Sequence, residues 1–374
     1  MTDTILCIDI GTTSLKAALI SDKRKVEAIK RITLSEIESD SESRNMTAKK
    51  WMPALKKAIS EMKAQNEDAA VEAICVSGNG PTIVAEDGTT LLWNEETDEA
   101  EKNKREKETK SIYIPRFSAF KNKYKKSWDS SKKIFSGPEF LIHELTGNAI
   151  TILPEERFIA AYWTTDELKK CGFSESEIEK FPPMKKMGSF AGKITEKAAI
   201  ETGIFEGTFV FAGAPDFVIA LLGTGTIYPG TLCDRAGTSE GLNLCTQKPI
   251  FADGIRTLPS AIPGLWNASI LLGETGKMRF ENEESVLKNF SDAVKKLKAA
   301  AEENGEYFPD RMTMTGGQCA DFEWVQKKEK AAGMKIDIPY CKDAELVGDL
   351  VLARVALGDY DDYEEACFVL CGNA

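Results

Sequence analysis

The chain has 374 residues, of which 42% are hydrophobic and 29% charged, a composition typical of a globular protein. This length exceeds what a single hydrophobic core usually supports, so it predicts two domains. The formal net charge of −11 argues against a nucleic-acid partner, because nucleic-acid phosphates would be repelled.

One basic stretch stands out against this acidic background. Residues 102–133 hold twelve Lys or Arg against three Asp or Glu, with aromatic side chains between them. That mixture could indicate a nucleic-acid surface. A solvated, partly packed insertion accounts for the same composition and is the interpretation that we favour.

Cysteine and histidine usage narrows the class further. The nine cysteines show no metal-type pairing, and several lie within apolar runs as buried free thiols do. No apolar stretch approaches the roughly 20 residues of a membrane helix, and the first strand begins too early for a signal peptide. We therefore expect a reduced, cytoplasmic protein. The single histidine, His143, argues against Ser-His-Asp catalysis and fits a helix surface.

The chain opens with two apolar runs, at about 4–9 and 15–20, that flank a polar tip and predict a β-hairpin. A turn explains the glycine of this tip, but neither its carboxylate nor its run of hydroxyls. Backbone N–H groups beside hydroxyls suit phosphate oxygens, and a nearby carboxylate can hold a hydrated magnesium ion. The tip residues that carry this hypothesis are Asp9, Gly11, Thr12, Thr13 and Ser14.

Further elements follow in chain order. A third strand is predicted at about 26–33, and apolar spacing predicts a helix at 51–62. "AVEAICVSG" reads as a buried strand with "PTIVAEDG" as its hairpin partner, and "GPEFLIHELTG" as a helix that ends at Gly147. "TEKAAIETGI" predicts a short helix. "FVFAGAPDFVIALLGTG" predicts a strand, a turn and a helix that opens at Asp216.

From about residue 229 the pattern begins again. "TLCDRAGTSEGLNLC" predicts a strand, a Gly-Thr-Ser turn and a second strand, as in the opening hairpin. A helical stripe from Leu287 to Ala301 follows, then "RMTMTGGQCADF" as a strand, a Gly-Gly turn and a helix. The last clear helix is predicted at about 343–358. We therefore expect a duplicated α/β domain with a phosphate-binding hairpin in each half.

These motifs, in this order, resemble those of the FGGY carbohydrate kinases, within the superfamily of actin-like, sugar-kinase and heat-shock ATPases. The matching segments are "DIGTTSLKA", "VSGNGPTIVAEDG" with "LLWNE", "PEFLIHELTG", "ETGIFEGTFVFAGAPDFVIALLGTG", "AGTSEGLNL", "TMTGGQCADFEWVQ" and "KDAELVGDLVLA". The resemblance spans nearly the whole chain. It implies an α/β fold of two duplicated ribonuclease-H-like (actin-like ATPase) domains with a cleft between them. Residues 1–228 would form the sugar-binding and catalytic domain, and residues 229–374 a shortened nucleotide-binding domain.

The resemblance also implies an activity, the ATP-dependent phosphorylation of a hydroxyl on a small sugar, sugar acid or polyol. Asp216 matches the catalytic base, since a carboxylate that accepts the hydroxyl proton assists attack on phosphorus. Asp9 would position Mg²⁺ through water. The residues assigned to ATP are Gly11, Thr12, Thr13, Ser14, Lys16, Gly237, Thr238, Ser239, Gly316, Gly317 and Gln318. Those assigned to the substrate are Asn79, Trp93, Asn94, Asp216 and Phe217.

Plainer roles stay open for several of these residues. Asp216 could be a simple helix N-cap, Trp93 could belong to a hairpin core, and Gly316–Gly317 could form a helix-entry turn. Only the surrounding motifs favour the functional roles.

The chain also departs from the family pattern. Where many ketose kinases carry Gln-x-His, "GNGP" places Asn79 and Pro81, and "WNEET" places Glu95 and Thr97 at the Asp and Arg positions of Trp-x-Asp-x-Arg. Residues 268–314 provide one long helix and little else, so the C-terminal half is short. Three hypotheses follow: a working kinase, a degenerate relative that binds nucleotide or sugar in a regulatory role, and, with least support, a chaperone-like ATPase. A homodimer is possible; no membrane partner is expected.

Overall fold

The computed structural model describes residues 2–38, 46–66, 69–97 and 109–372. The chain forms two compact units: unit 1 comprises Met1–Asp22 and Val26–Asp216, and unit 2 comprises Lys23–Lys25 and Phe217–Ala374. This division falls before the sequence-based boundary at 228/229, which stays a prediction about domain organisation. Residues 102–108 of the basic stretch lie outside the described residues.

Unit 1 combines a six-stranded sheet with smaller sheets and short helices. Its strands are β1 (Thr2–Ile10), β2 (Ser14–Ser21), β3 (Lys25–Thr33), β4 (Ala69–Gly78), β5 (Ile83–Ala85), β6 (Thr90–Leu91), β7 (Ile134–Phe135), β8 (Thr151–Leu153), β9 (Met184–Lys186), β10 (Phe190–Lys193) and β11 (Phe209–Pro215). Its helices are α1 (Trp51–Lys63), α2 (Ile114–Lys123), α3 (Lys125–Ser130), α4 (Glu139–Thr146), α5 (Thr165–Lys170), α6 (Glu175–Ile178) and α7 (Glu196–Thr202).

The large sheet of unit 1 runs in the order β10-β11-β4-β1-β2-β3. β1 pairs antiparallel with β2, as predicted for the opening hairpin, and parallel with β4, which pairs parallel with β11. The continuous apolar run of β1 fits its central position, since Ile5, Leu6 and Ile8 are fully buried. The carboxyl ends of β4 and β11 therefore lie at the same edge as the hairpin tip.

One predicted strand pairing is wrong. β5 does not pair with β4; it pairs antiparallel with β6 and β7 in a separate three-stranded sheet. The reason is that β4 is an interior strand, with β1 on one edge and β11 on the other, and so has no free edge for a hairpin partner.

Unit 2 contains a second six-stranded sheet. Its strands are β12 (Leu232–Ala236), β13 (Glu240–Thr246), β14 (Arg256–Pro259), β15 (Trp266–Gly273), β16 (Arg311–Thr315) and β17 (Lys335–Asp337). Its helices are α8 (Asp216–Gly223), whose first residue closes unit 1, α9 (Thr275–Glu281), α10 (Glu283–Glu303), α11 (Phe322–Ala332), α12 (Ala344–Leu357) and α13 (Tyr363–Leu370).

The sheet of unit 2 repeats the central arrangement of unit 1. Its order is β14-β15-β13-β12-β16-β17, with an antiparallel β12–β13 hairpin and a parallel β12–β16 pair. The β1–β2 hairpin and the parallel β1–β4 pair have the same relation. The expected duplication of a mixed α/β domain is therefore confirmed. One face of the second sheet packs on a core that includes Phe290 and Leu297 of α10 and Trp324 of α11.

Helix ends follow the predicted glycines, while six of the described helices were not predicted: α2, α3, α5, α6, α9 and α13. Gly147 and Gly358 take positive φ values of 75° and 87° directly after α4 and α12, as C-terminal glycines do. α9 lies in the segment for which only one long helix was expected, and α13 follows the predicted last helix. Both are short, so they show little periodicity.

The structure also bears on the cysteines and on membrane insertion. All nine cysteines are free thiols, and all except Cys319 are buried. Within the described ranges, no helix has the length and apolar character required to cross a bilayer.

Candidate active site

The tip of the β1–β2 hairpin is held by backbone hydrogen bonds. The N–H of Gly11 donates to the carbonyl of Ser14 at 2.9 Å, and the carbonyl of Thr13 accepts from the N–H of Leu34 at 2.8 Å. A side chain at residue 11 would crowd the Ser14 carbonyl, since a Cβ there would lie 3.0 Å from it. Thr13 is exposed and Thr12 half-exposed, so hydroxyls line the outer side of a fixed turn.

Asp9 lies opposite Lys16 in the same hairpin. Its Oδ2 forms an ion pair of 2.9 Å with the Lys16 ammonium, and the carboxylate is almost fully buried. Its Oδ1 is buried and has no hydrogen-bond partner among the described residues. A buried carboxylate oxygen without a donor fits a cation or an ordered water in its place.

A closed ring of hydrogen bonds joins the hairpin tip to the residues predicted to contact the substrate. The Thr12 hydroxyl oxygen accepts from Asn79 Nδ2 and from Trp93 Nε1, each at 2.8 Å. The Thr82 hydroxyl donates to Asn79 Oδ1 at 3.2 Å and accepts from the Trp93 backbone N–H at 3.2 Å. Four residues from three separate segments are thereby fixed together.

The ring defines the position of the Trp93 side chain. Trp93 is 44% exposed, so it does not belong to a hairpin core. Asn94 is also exposed and lines a surface cavity together with Trp93 and Arg116. Arg116 of α2 donates to the carbonyls of Leu92 and Glu95 and so holds the turn that carries Trp93. Sequence patterns gave no signal for Arg116.

Asp216 begins α8 directly after β11, without the intervening turn that was predicted. Pro215 pairs with Gly78 at the end of β4, which places Asp216 next to the strand end that leads into Asn79. The close approach of β11 to β4 requires a glycine, because a Cβ at Gly213 would lie 2.4 Å from the Val76 carbonyl. A carboxylate in the first turn of a helix is stabilised in its ionised form. Phe217 follows and is half-buried.

A buried polar cluster lies beside Asp216 and was not predicted. Burial, and then the charges of Glu139 and Asp216, raise the pKa of Tyr113, whose phenol is hydrogen-bonded to that of Tyr162. Burial also raises the pKa of Glu139. Its Oε1 accepts from the Ser136 hydroxyl and a backbone N–H, while its buried Oε2 has no partner among the described residues.

These groups border a small cavity that also touches Asn79 and Pro215. It offers about 10 Å³ to the centre of a water-sized sphere, which is room for about one water molecule.

Unit 2 brings together the other predicted nucleotide residues. At the tip of the β12–β13 hairpin, the Gly237 N–H donates to the Ser239 carbonyl at 3.1 Å, and the side chains of Thr238 and Ser239 are exposed. Gly316 has φ 95°, and a Cβ there would lie 2.6 Å from the Ala236 carbonyl. Gly317 has open space where a Cβ would stand. The hairpin tip and the Gly-Gly turn are therefore packed backbone against backbone.

Gln318 is buried among protein groups rather than exposed at this surface. Its Nε2 lies within hydrogen-bond distance of the Gly237 carbonyl at 3.0 Å and of the Thr275 hydroxyl at 3.0 Å. Its Oε1 accepts from Trp324 Nε1 at 2.7 Å. The side chain thus ties the hairpin tip to α9 and α11.

A buried charge cluster, also missed from the sequence, lies beneath this tip. The fully buried Lys328 ammonium contacts Asp234 Oδ2 and lies 2.9 Å from Glu240 Oε1. Glu240 Oε2 accepts from the Thr275 hydroxyl at 2.5 Å. Burial, and then the charge of Glu240, raise the pKa of Asp234 to about 7. The three residues come from β12, β13 and α11 and anchor the tip end of the hairpin.

Comparison with known proteins finds a matching family model, curated relatives and solved structures of the same fold. The model of the N-terminal domain of the FGGY family of carbohydrate kinases matches residues 4–223. The autoinducer-2 kinase of Yersinia enterocolitica is 33% identical over 116 residues, 30% of this chain and 21% of its own length. The match therefore spans about a fifth of that curated relative.

Solved structures share the fold over nearly the whole chain. A ligand-bound xylulose kinase from Lactobacillus acidophilus superposes with a TM-score of 0.75 at 15% identity, covering 98% of this chain and 92% of its own. A Plasmodium falciparum glycerol kinase with ADP gives 0.75 at 13% identity, covering 100% and 93%. These likenesses establish the two-domain actin-like ATPase fold. The match of the family model over residues 4–223 confirms the resemblance inferred from the motifs, and the chain belongs to the FGGY family of carbohydrate kinases.

Proposed function

We propose that the chain transfers the γ-phosphoryl group of Mg²⁺-ATP to a hydroxyl of a small sugar, sugar acid or polyol. The observation that carries this proposal is the bonding of the first hairpin tip to Asn79 and Trp93 through the Thr12 hydroxyl. A residue assigned to the phosphates is thereby held in a fixed position relative to two residues assigned to the acceptor. Phosphoryl transfer requires such positioning of its two substrates.

In this proposal Asp216 is the general base. A sugar hydroxyl is a poor nucleophile, and a carboxylate that takes its proton assists bond formation to phosphorus. Asp216 opens α8, where the helix dipole favours a negative charge. Asn79, Trp93, Asn94 and Phe217 would contact the acceptor.

The first hairpin would hold the phosphates and the metal ion. Mg²⁺ usually binds through one or two carboxylates, waters and substrate phosphates. Asp9 fits that role because its Oδ1 is buried without a partner among the described residues. Over the same ranges, no cluster of three or more His, Cys, Asp or Glu could hold a metal ion by itself. When bound, the ion would offset phosphate charge, while Lys16 keeps Asp9 oriented.

The second hairpin would supply backbone N–H groups and hydroxyls to the phosphates, from residues 237–239. Gly316 and Gly317 would let the adenosine ribose approach the backbone. Gln318, which was expected to contact ATP, would act through its hydrogen bond to the Gly237 carbonyl. We retain residues 1–228 as the catalytic domain and 229–374 as the nucleotide-binding domain.

The acceptor class is kept broad because the relatives are named for different substrates, autoinducer-2, xylulose and glycerol among them. Pro81 in place of a histidine argues against a contact of the ketose-kinase type. We also propose a cytoplasmic location, because nine free thiols suit a reducing compartment.

One contact favours the second candidate, a degenerate member that binds ligands without efficient transfer. The Lys16 ammonium pairs with Asp9 Oδ2, so one oxygen of the carboxylate assigned to the metal ion is already engaged within the protein. A coupled ADP-release assay across pentuloses, hexuloses, aldonic acids and polyols separates the candidates. Acceptor-dependent ADP release supports the kinase, whereas ligand binding without release supports the degenerate member.

A further inference from the structure

The two hairpins carry opposite charges at equivalent register positions. In the β1–β2 hairpin, the pair Ile10–Leu15 closes the tip. Asp9 belongs to the next pair, where it faces Lys16. In the β12–β13 hairpin, the pair Ala236–Glu240 closes the tip. Arg235 belongs to the next pair, where it faces Gly241. Arg235 is therefore the counterpart of Asp9, but its two cross-strand neighbours, Gly241 and Thr315, carry no charge.

A second arginine projects from the same face of the sheet. The ladder pairs Arg256 with Ser269, Ser269 with Asn243, and Asn243 with Cys233. The side chains of directly paired residues project from the same face of a sheet, and so do those of residues two apart in one strand. Arg256 therefore projects from the same face as Cys233 and Arg235. Only small or neutral side chains lie between the two arginines.

Neither arginine has a counter-ion in the part of the chain that the structure describes. Burial, and then the positive charge of Arg235, lower the pKa of Arg256. The carboxylate nearest in sequence, Asp234, points to the opposite face and contacts Lys328. Two guanidinium groups within electrostatic range, without a carboxylate, repel each other in the free protein.

The plain alternative is a pair of solvated surface arginines. Arg256 is exposed and fits that alternative, whereas Arg235 is only partly exposed and stands next to the tip that carries the exposed Thr238 and Ser239 side chains. A guanidinium presents a planar fork that matches two phosphate oxygens, and an anion would relieve the repulsion between the two arginines.

We propose that Arg235 binds phosphate oxygens of the nucleotide polyphosphate at the second hairpin, with Arg256, three strands away on the same face, adding positive charge. The inference rests on the proposed function and adds a cation that the family motifs did not assign. Its role is phosphate binding: the guanidinium offsets the charge of the phosphates next to the Gly237–Ser239 tip.

The test compares Arg235→Met, Arg256→Met and Arg235→Lys with the wild type. The control Arg311→Met removes an exposed arginine of the same unit that is paired with Asp337. Calorimetry measures binding of Mg²⁺-ATP, Mg²⁺-ADP and adenosine, and thermal unfolding is recorded without ligand. Loss of a charged hydrogen bond predicts about tenfold to hundredfold weaker ATP and ADP binding in Arg235→Met. We expect a smaller loss in Arg256→Met, and adenosine binding unchanged in both.

Removing one of two like charges should leave the unfolding midpoint of the free protein unchanged or raise it. A variant that fails to fold, a lower midpoint, or an equal loss for adenosine would indicate a structural role and overturn the inference. So would Arg235→Met with wild-type ATP affinity. If the wild type binds neither ATP nor ADP, the proposed function fails. Pyrophosphate binding then tests the inference about the arginines by itself. Binding to the wild type that is lost in Arg235→Met supports the inference, and absence of binding to the wild type overturns it.

Discussion

The Thr12 hydroxyl is the common acceptor for the Trp93 indole and the Asn79 amide, each 2.8 Å away. Replacing Thr12 by Val keeps the shape and removes the acceptor, so the mostly buried Asn79 amide loses its partner. Leaving a buried donor unpaired costs about 1–3 kcal/mol. We expect Thr12→Val to lower the free energy of unfolding by that amount in urea titrations, and to reduce acceptor-dependent turnover.

Thr12→Ser is the matched control, because it retains the hydroxyl and loses only a methyl group. It should remain within about 0.5 kcal/mol of the wild type, as mild substitutions do. Equal stability of Thr12→Val and Thr12→Ser would show that the ring contributes nothing to the fold.

The adjacent glycines Gly316 and Gly317 should respond differently to alanine. Gly316 combines φ 95° with a Cβ position 2.6 Å from the Ala236 carbonyl, whereas Gly317 has open space at that position. Strain of this kind costs on the order of 1–3 kcal/mol, so Gly316→Ala should unfold at a lower denaturant concentration. Gly317→Ala should keep wild-type stability but bind ADP more weakly, if the ribose lies against that backbone. Wild-type ADP affinity in Gly317→Ala would remove Gly317 from the site.

The stability of the protein should depend on pH through Asp234. Its pKa is raised to about 7 in the folded protein by burial and the charge of Glu240, against about 3.9 in an unfolded chain. The folded state therefore keeps a proton that the unfolded state has lost. The stabilisation of the folded state by this bound proton is complete below about pH 4 and is lost as the pH rises through about 7.

Asp234→Asn cannot ionise, so its free energy of unfolding should fall less steeply between pH 4 and 7, by up to about 1.4 kcal/mol per pH unit. Urea unfolding across this range measures the difference. Glu139, whose pKa burial also raises, is present in both proteins and cancels in the comparison. Equal slopes would mean that Asp234 is already ionised throughout that range.

The hairpins and strand ends could be predicted from the sequence because local patterns determine them. Apolar runs identified β1 and β12, and Gly147 and Gly358 marked helix ends, since each signal lies within a few residues. The pairing of β5 was predicted wrongly because it depends on whether β4 has a free edge, which is a property of the whole sheet.

The hydrogen bonds and ion pairs within the candidate site could not be predicted from the sequence, because they join residues that are far apart along the chain. Thr12 and Trp93 are 81 residues apart, and Lys328 and Asp234 are 94 apart. Nothing in either local pattern indicates the partner. The motifs gave the functional assignments, whereas tertiary packing decided that Gln318 is buried and that Arg116 holds the turn of Trp93.

The most direct test of the central claim is the acceptor-dependent turnover of Asp216→Asn relative to the wild type. Asn keeps the size of Asp216, and loss of a favourable charge at a helix start costs only about 0.3–1 kcal/mol, so the fold should survive. General-base catalysis contributes about 10²–10⁴ in rate. We predict that turnover with the best acceptor of the panel falls at least 10²-fold while ADP affinity is unchanged. A folded Asp216→Asn protein that retains most of its acceptor-dependent turnover would contradict the assignment of Asp216 as the base.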